Sequence, residues 1–281
     1  MSENVICRKT QDDLIGKFNS PPLFSVVIPT LNESENIVRL INEIKAATSE
    51  NEAYELIIVD DNSPDDTVGM IINDFTNQNG FKVYKIRQNI GLQSHQYYLI
   101  YPEKGNRFYI KVIKRNERSG LISAIYEGFK SSIGEYVLVM DADFSHSPTH
   151  INKLINEIRS SDSDLVIASR YLKGGKIIGW SPKRIFLSRF ATNLSKLIFG
   201  LSEVSDPMSG FFIVKRKIIR KMHFSTSGFK ILLEILVKSK NLKINEIPYT
   251  FSDRAMGASK LNSKVTIDFF KGLYTLYKAR N

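Results

Sequence analysis

Tyr136-Val137-Leu138-Val139-Met140-Asp141-Ala142-Asp143 is an apolar run of strand length that stops on two carboxylates separated by one residue. Side chains alternate between the two faces of a strand, so residues i and i+2 point the same way. A strand ending here would deliver both carboxylates into one cleft at its carboxyl edge. Two hard oxygen ligands suit Mg²⁺ or Mn²⁺, with phosphate oxygens of a substrate completing the shell. Asp also caps helices and turns, so the spacing alone leaves both interpretations open.

Two earlier strand patterns also end on acidic side chains. Residues 24–29 lead through Glu33 into an amphipathic helix that extends to about residue 45, and residues 55–59 lead into Asp61. Strands that alternate with helices predict an α/β fold with a mostly parallel central sheet, whose ligands gather at the carboxyl ends of the strands. The acids expected on this one rim are Glu33, Asp61, Asp141 and Asp143.

Composition sets the outer limits. The 281 residues, 42% of them hydrophobic, are enough to bury the core of one large α/β domain. The single cysteine, Cys7, excludes an internal disulfide and is typical of a reducing compartment. Residues 1–20 are polar and mixed in charge and do not read as a signal peptide, and no apolar run approaches the roughly 20 residues that cross a bilayer. These features predict a cytoplasmic protein.

Six ordered segments resemble the inverting family-two glycosyltransferases and, within them, the dolichol-phosphate mannose synthases. They run from about residue 24 to residue 262, which is nearly the whole chain. The matching segments are residues 26–33, residues 59–65, residues 140–146, residues 169–180 around Ser169-Arg170-Tyr171 and Gly179-Trp180, residues 206–211, and residues 253–261 around Asp253-Arg254 and Ser259-Lys260-Leu261.

The resemblance implies a GT-A type nucleotide-sugar-binding domain over residues 23–262, after an N-terminal extension of residues 1–22. It implies inverting, metal-dependent transfer of mannose from GDP-mannose to dolichyl or another polyprenyl phosphate. Glucose transfer from UDP-glucose is the close alternative, because the metal and phosphate sites would look alike. A noncatalytic membrane-associated scaffold with the same fold is the alternative from a different class.

The resemblance also implies roles for residues on the rim. Asp141 and Asp143 would bind the metal, with Ser145 as a weaker third oxygen ligand, and Ala142 would lie between them against the donor. Leu31 departs from the aromatic residue that family members usually carry at its position. For Glu33 a helix cap, and for Asp61 a turn, remain the alternative interpretations. The residues implied around the donor base and ribose are Pro29, Leu31, Glu33, Val59 and Asp61.

Positively charged residues match the positions that bind phosphate in the family. Arg170 and Arg184, with the Ser188 hydroxyl, correspond to the acceptor-phosphate site, where a guanidinium gives orientation as well as charge. Arg254 and Lys260 correspond to a basic loop over the donor phosphates. Ordinary surface charge is the alternative for the arginines, because the chain has 39 Lys and Arg residues. The catalytic set implied is therefore Asp141, Asp143, Arg170 and Arg184.

Two basic amphipathic segments, residues 183–201 and residues 263–281, suit the surface of a membrane. Both repeat apolar residues at helical spacing among lysines and arginines, and the net charge is +10. Helices that pack on the sheet are the alternative, and Trp180 is either a membrane-interface anchor or a core residue. We expect peripheral association with the cytosolic face of a membrane, with a small membrane-anchoring subunit among the family's partners. We find no recognised nucleic-acid module, so nucleic acid is not an expected partner.

Three features remain open. Residues 88–114 exceed the usual family length and predict an insertion, which forms either a hairpin at the sheet edge or a contact surface. Either residues 115–128 or residues 87–91 correspond to the turn that family members place beside the donor. The segment 206–211 reads either as a tight turn or as part of the site, and the four histidines show no metal-ligand spacing and are given no chemistry.

Overall fold

The structure is a computed structural model. It describes residues 21–48, 52–87, 95–104, 107–224, 230–239, 241–253 and 263–280, and it gives the backbone alone for residues 87, 263–268, 279 and 280. Arg254, Lys260 and residues 1–20 of the N-terminal extension lie outside this description.

Strands and helices alternate through most of the described residues. The strands are β1 (Phe24–Thr30), β2 (Tyr54–Asp60), β3 (Phe81–Arg87), β4 (Gln96–Pro102), β5 (Phe108–Lys114), β6 (Tyr136–Val139), β7 (Leu165–Ser169), β8 (Lys176–Ile178), β9 (Phe212–Lys215), β10 (Ile244–Pro248) and β11 (Thr250–Ser252). The α-helices are α1 (Ile37–Ala47), α2 (Thr67–Asn77), α3 (Leu121–Ser131), α4 (Ile151–Ser160), α5 (Pro182–Phe199), α6 (Arg216–Ile219), α7 (Ile231–Lys238) and α8 (Ser263–Arg280), and a 3₁₀ turn spans Pro148–His150.

Nine strands form one sheet in the order β10-β7-β9-β6-β1-β2-β5-β4-β3, and β8 and β11 form a separate parallel pair. The four central strands β6, β1, β2 and β5 are mutually parallel. Strands β9 and β4 introduce the antiparallel pairings towards the two edges. The predicted α/β fold with its parallel centre is therefore confirmed.

Both faces of the central sheet are covered, which explains why its strands read as continuous apolar runs. Val26 and Ile28 of β1 pack on one face with the apolar stripes of α1, α2 and α4. Val27, which lies between them, points to the other face and packs with α3 and α7. This alternation leaves the ends of the strands, rather than the faces of the sheet, open to a ligand.

A hairpin lies at the edge of the sheet, as in one of the two predicted alternatives, but its first strand precedes residues 88–114. That residues 88–114 are an insertion stays a prediction. Strands β3 and β4 form the antiparallel pair at the edge of the sheet. Strand β5, which the sequence pattern also predicted, lies inside the sheet next to β2 in parallel register, with Tyr54 opposite Phe108. Helix α3 follows β5 directly, so residues 115–128 form the turn and helix on the rim.

Helices α5 and α8 divide their apolar side chains between the protein and its surface. Phe199 of α5 and Leu273 of α8 lie in one buried cluster together with Leu233 of α7. Other apolar side chains of the same helices face outward, the most exposed being Leu197 (81%) and Phe186 (69%). Within the described ranges, no helix combines the length and the apolar character that crossing a bilayer requires.

Candidate active site

The predicted acids lie on one rim of the sheet. Strands β6, β1 and β2 are parallel neighbours, so their carboxyl ends meet at the same edge. Asp141, Glu33 and Asp61 follow these three strands in the same spatial order. Because each acid leaves its strand at the same edge, the fold assembles a carboxylate-lined cleft from three separate parts of the sequence.

The two central carboxylates lie in a tight turn just beyond β6. The strand ends at Val139, two residues before Asp141 and four before Asp143, so neither aspartate is a strand residue. Phe144 has φ of 61°, a left-handed conformation that costs about 1–2 kcal/mol for a residue with a side chain. The turn lets the Ser145 N–H donate to Asp143 Oδ1 at 3.1 Å. Asp143 is buried, whereas the Asp141 side chain is 37% exposed.

His146 supports Asp141, a role that the sequence did not predict. The Asp141 N–H donates to His146 Nδ1 at 2.9 Å, which leaves the proton of the neutral ring on Nε2. Nε2 lies 3.8 Å from Asp141 Oδ2, and the ring stacks on Phe211 with centroids 5.0 Å apart. Burial lowers the pKa of His146, and the charges of Asp141 and Asp143 oppose that shift. The ring therefore remains neutral near pH 7.

The segment 206–211 contributes to the same site. A β-carbon added at Gly210 would lie 3.1 Å from His146 Cε1 and 3.6 Å from Asp141 Oδ2, so the backbone at Gly210 closely approaches both side chains. The Ser209 N–H donates to the Asp206 carbonyl at 3.2 Å, which gives the turn that the sequence suggested. The segment is thus both a turn and a wall of the cleft.

The donor set near Asp141 fits a hard divalent cation. Asp141 and Asp143 supply carboxylate oxygens and the buried Ser145 supplies a hydroxyl, which are ligand types that Mg²⁺ and Mn²⁺ prefer. Among the described residues, no group of three or more His, Cys, Asp or Glu side chains is arranged to hold a metal ion. A cation here would therefore need oxygen ligands from a substrate as well.

The side chains proposed for the donor base differ in accessibility. Pro29 and Val59 lie opposite each other in the register of β1 and β2 and are buried. Leu31 is 42% exposed and stands at the surface of the rim. Glu33 precedes α1, whose N-cap is Asn36, and the Glu33 carboxylate accepts a hydrogen bond from the Asn36 side-chain amide at 2.8 Å. Glu33 is therefore not the cap of this helix, and a role for its carboxylate in donor binding stays a prediction.

Asp61 is held by a loop that the sequence analysis left out of the site. Its carboxylate accepts the backbone N–H groups of Ser119 and Gly120, each at 2.9 Å, at the start of α3. Arg115 Nη1 lies 3.0 Å from Asp61 Oδ1 in an ion pair with both side chains nearly buried. Gly120 has φ of 88°, which side chains rarely adopt. Asp60, rather than Asp61, caps the turn after β2, because its Oδ1 accepts the Ser63 N–H at 3.0 Å. The contact of Asp61 with a donor stays a prediction.

Arg170 is fixed by a buried carboxylate. Its Nε and Nη2 donate to Asp206 at 2.7 and 2.8 Å, and the Arg170 side chain is 9% exposed while Asp206 is fully buried. Glu246 in turn accepts the N–H groups of Ser205 and Asp206. Burial alone lowers the pKa of Arg170, but the hydrogen bonds and charge of Asp206 raise it well above its usual value. Arg170 is therefore a permanently charged and rigidly oriented guanidinium.

Arg184 lies against the same aromatic ring as Arg170. The centre of the Trp180 ring is 4.1 Å from Arg184 Cζ and 5.6 Å from Arg170 Cζ. Arg184 also pairs with Asp253 at 3.0 Å. Trp180 packs edge to face on Phe251 at 5.0 Å and is partly buried against the core, and its role at a membrane interface stays a prediction.

The remaining predicted site residues have different outcomes. The Ser188 hydroxyl is close to the arginine pair, because it accepts the Tyr171 hydroxyl at 2.7 Å while the Tyr171 ring lies 5.3 Å from Arg170 Cζ. Arg254 and Lys260 lie outside the described residues. Lys230, which no sequence motif singles out, is a further lysine that interacts electrostatically with this site. Burial lowers its pKa, the charge of Arg170 lowers it further, and Asp141 and Asp206 raise it.

Comparison with known proteins identifies the family. A family model described as glycosyl transferase family 2 matches residues 25–96 and 101–223. The dolichol-phosphate mannosyltransferase of Pyrococcus furiosus is 36% identical over 255 residues, which cover 90% of this chain and 63% of that protein. This chain therefore spans less than two thirds of that relative's length. The Saccharomyces cerevisiae protein of the same name is 32% identical over 265 residues, with 90% of this chain and 86% of that protein covered.

Solved structures show the same fold at lower identity. Glucosyl-3-phosphoglycerate synthase from Mycobacterium tuberculosis, in complex with Mn²⁺, UDP and glucosyl-3-phosphoglycerate, superposes with a TM-score of 0.59 at 18% identity over 99% of this chain and 87% of that one. Mannosyl-3-phosphoglycerate synthase from Rubrobacter xylanophilus gives 0.59 at 17% identity over 92% and 76%. The predicted GT-A-like fold is confirmed. The chain belongs to glycosyl transferase family 2, and the predicted resemblance to the dolichol-phosphate mannosyltransferases within it is confirmed.

Proposed function

We propose that this chain transfers mannose from GDP-mannose to dolichyl or another polyprenyl phosphate, with inversion at the anomeric carbon. The observation that carries the proposal is the pair of guanidinium groups around Trp180, because two fixed cations in one cluster suit a phosphate acceptor. Phe251 links this cluster to the carboxylate rim, because its ring centre lies 5.8 Å from Arg170 Cζ and 6.2 Å from the centre of the His146 ring. Relatives named dolichol-phosphate mannosyltransferase, which are 31–36% identical, support the choice of sugar and acceptor.

Asp141 and Asp143, with the Ser145 hydroxyl, would hold Mg²⁺ or Mn²⁺ together with the donor phosphates. When bound, the cation would neutralise charge that develops on the departing nucleoside diphosphate. The chain's own contribution is to hold these oxygens in place. His146 fixes the backbone at Asp141, and the Phe144 turn fixes Asp143.

The donor would lie along the rim from β2 to β6. Pro29, Leu31, Glu33, Val59 and Asp61 would surround its base and ribose, and Arg254 and Lys260 would contact its phosphates. The carboxylates suit this task because they accept hydrogen bonds from base N–H groups and ribose hydroxyls. The tether from Asp61 to the start of α3 would set the position of that carboxylate before the donor arrives.

The acceptor phosphate needs no dedicated general base. A phosphate monoester is anionic near neutral pH, so one of its oxygens can form the new bond to the anomeric carbon as the bond to the nucleoside diphosphate breaks. Arg170 and Arg184, with Ser188, would orient that oxygen for attack from the opposite face. Catalysis by the protein would then consist mainly of positioning and electrostatic stabilisation.

Radiolabelled transfer to dolichyl phosphate in detergent, with Mn²⁺ or Mg²⁺ and with GDP-mannose and UDP-glucose in parallel, tests this function. We expect metal-dependent labelling of the lipid from GDP-mannose. Labelling of the lipid from UDP-glucose but not from GDP-mannose would show that the transferred sugar is glucose rather than mannose. No labelling from either donor, in protein that is folded and binds Mn²⁺, would contradict the proposal and favour the noncatalytic scaffold.

The lipid acceptor also requires contact with a membrane, and the outward faces of α5 and α8 suit that contact. Phe186, Phe190 and Leu197 lie on one side of α5 and are each more than half exposed, whereas its inward side carries the buried Thr192, Ser195 and Phe199. Large apolar side chains that are exposed together on one face of a helix are typical of an interaction site, here one for lipid. We propose a peripheral position on the cytosolic face of a membrane, where a small anchoring subunit would be a further partner.

We expect Phe190→Ser to weaken binding to anionic phospholipid vesicles about tenfold, because a buried Phe side chain contributes about 1.5–3 kcal/mol. Vesicle flotation measures the bound fraction. Met70→Ser is the matched control, since Met70 is similarly exposed (46%, against 53% for Phe190) but lies on α2. Equal effects of the two substitutions, or none from Phe190→Ser, would contradict the assigned lipid-facing side.

A further inference from the structure

The two arginines at the acceptor site have carboxylate partners of very different accessibility. The ion pair of Arg170 and Asp206 is buried, with side chains 9% and 0% exposed. The ion pair of Arg184 and Asp253 is partly open to solvent, with side chains 21% and 32% exposed. Breaking a buried pair costs about 3–5 kcal/mol, while a surface pair contributes only about 0–1 kcal/mol. An arriving anion would therefore exchange with Asp253 and leave Asp206 in place.

The hydrogen bonds of Arg184 agree with an exchangeable partner. Both oxygens of Asp253 accept from one nitrogen, Nη1, at 3.1 and 3.0 Å. No hydrogen bond from Nε or Nη2 of Arg184 is made to the part of the chain that the structure describes. Arg170, in contrast, directs both Nε and Nη2 at Asp206. Arg184 thus keeps the planar edge that binds a phosphate in a two-pronged manner.

The backbone holds Asp253 in place independently of its carboxylate. The Asp253 N–H donates to the Ile178 carbonyl at 2.9 Å, directly after the pairing of β8 with β11. A β-carbon added at Gly179 would lie 2.8 Å from Asp253 Cβ, so only glycine permits this close approach. The main chain at Asp253 is therefore held by contacts that do not involve Arg184.

We propose that Asp253 is an affinity-determining residue that occupies Arg184 until the acceptor phosphate replaces it. The inference rests on the proposed function for the identity of the acceptor, but its ligand chemistry is that of any phosphate monoester or inorganic phosphate. Asp253 holds the guanidinium against the Trp180 ring while the site is empty. It also lowers the affinity for the acceptor, because the phosphate must displace it.

The single tryptophan of the chain provides a local readout, because Arg184 Cζ lies 4.1 Å above the Trp180 ring. We expect inorganic phosphate to change the fluorescence of Trp180 in the full-length protein. Asp253→Asn should tighten phosphate binding about fivefold, which corresponds to the upper contribution of a partly exposed ion pair. Asp162→Asn is the control. Asp162 pairs with Lys215 just before the start of β7, whereas Arg170 follows the end of the same strand.

Asp253→Ser serves as a second variant that also removes the charge, and Arg184→Gln should abolish the fluorescence response with or without Asp253. Unchanged or weaker phosphate binding in both folded Asp253 variants would overturn the inference. In the transfer assay we expect the KM for dolichyl phosphate to fall by the same factor, with kcat retained. Tighter phosphate binding without any sugar transfer would uphold the inference and contradict the proposed reaction, so the two can fail separately.

Discussion

Asp143→Asn is expected to reduce the turnover number for sugar transfer at least about 100-fold, since a bound cation contributes several kcal/mol to the transition state. The amide keeps one oxygen that can accept the Ser145 N–H, so the turn should survive the substitution. It removes one of the two carboxylate charges in the candidate metal site. Steady-state transfer measured over a range of Mn²⁺ concentrations gives the loss in turnover and any shift in metal dependence.

Binding of Mn²⁺ itself, followed by electron paramagnetic resonance, separates this effect from a loss of folding. We expect Asp143→Asn to bind Mn²⁺ more weakly in the presence of nucleoside diphosphate and to unfold at a similar urea concentration. Asp162→Asn removes an acid that pairs with Lys215 near the amino end of β7. This substitution should leave both Mn²⁺ binding and the urea concentration of unfolding unchanged. Full turnover in Asp143→Asn would contradict a role for this carboxylate in catalysis.

The sequence predicts the centre of this fold well because the central strands are buried on both sides. β1 and β2 are buried along their whole length, and their centres, Val26–Ile28 and Leu56–Val59, are accordingly apolar. The rim acids could be predicted as well, because parallel strands all end at the same edge. The end of β6 could not be predicted in the same way. The strand stops at Val139, and a left-handed Phe144, rather than strand geometry, orients the two carboxylates.

The order of the outer strands could not be read from local pattern. Residues 81–87 and residues 108–114 are both strand-like, and each is followed by a plausible turn. Which of the two segments pairs with β2 depends on contacts between residues far apart in the chain. In the structure β5 aligns with β2 and places Arg115 beside Asp61. Nothing within either segment encodes that choice, because the competing registers differ only in contacts between residues far apart in the chain.

The charge partners of the site residues were equally inaccessible to sequence analysis. The matching segments contain Asp206 and Asp253, but nothing in them pairs these carboxylates with Arg170 and Arg184, which lie 36 and 69 residues earlier in the chain. His146 shows no metal-ligand spacing, and its contact with Asp141 depends on the turn at Phe144. One signal was available: His146 follows Asp141 and Asp143 in the same family segment, so a supporting role could have been tested against a purely structural one.

Asp206→Asn is expected to lower the free energy of unfolding by about 3–5 kcal/mol, because it leaves a buried guanidinium without a counter-charge. Asp206 accepts from Arg170 Nε and Nη2 and also from the Arg170 backbone N–H. Urea unfolding with an unchanged m-value would measure the loss. A loss below about 1 kcal/mol would mean that solvent or another anion replaces the Asp206 carboxylate. It would contradict the conclusion that Asp206 fixes the Arg170 guanidinium.

The double substitution Arg170→Met with Asp206→Leu separates the structural role of the pair from its catalytic one. Replacing a buried ion pair by apolar side chains of similar volume is often neutral or stabilising, so we expect the double variant to recover most of the stability that Asp206→Asn loses. Sugar transfer should nevertheless stay at least about 100-fold below that of the unaltered protein, since no guanidinium remains at residue 170 to orient the acceptor phosphate. Stability restored together with transfer would show that Arg170 serves the fold alone, and Arg184 would then be the principal ligand of the acceptor.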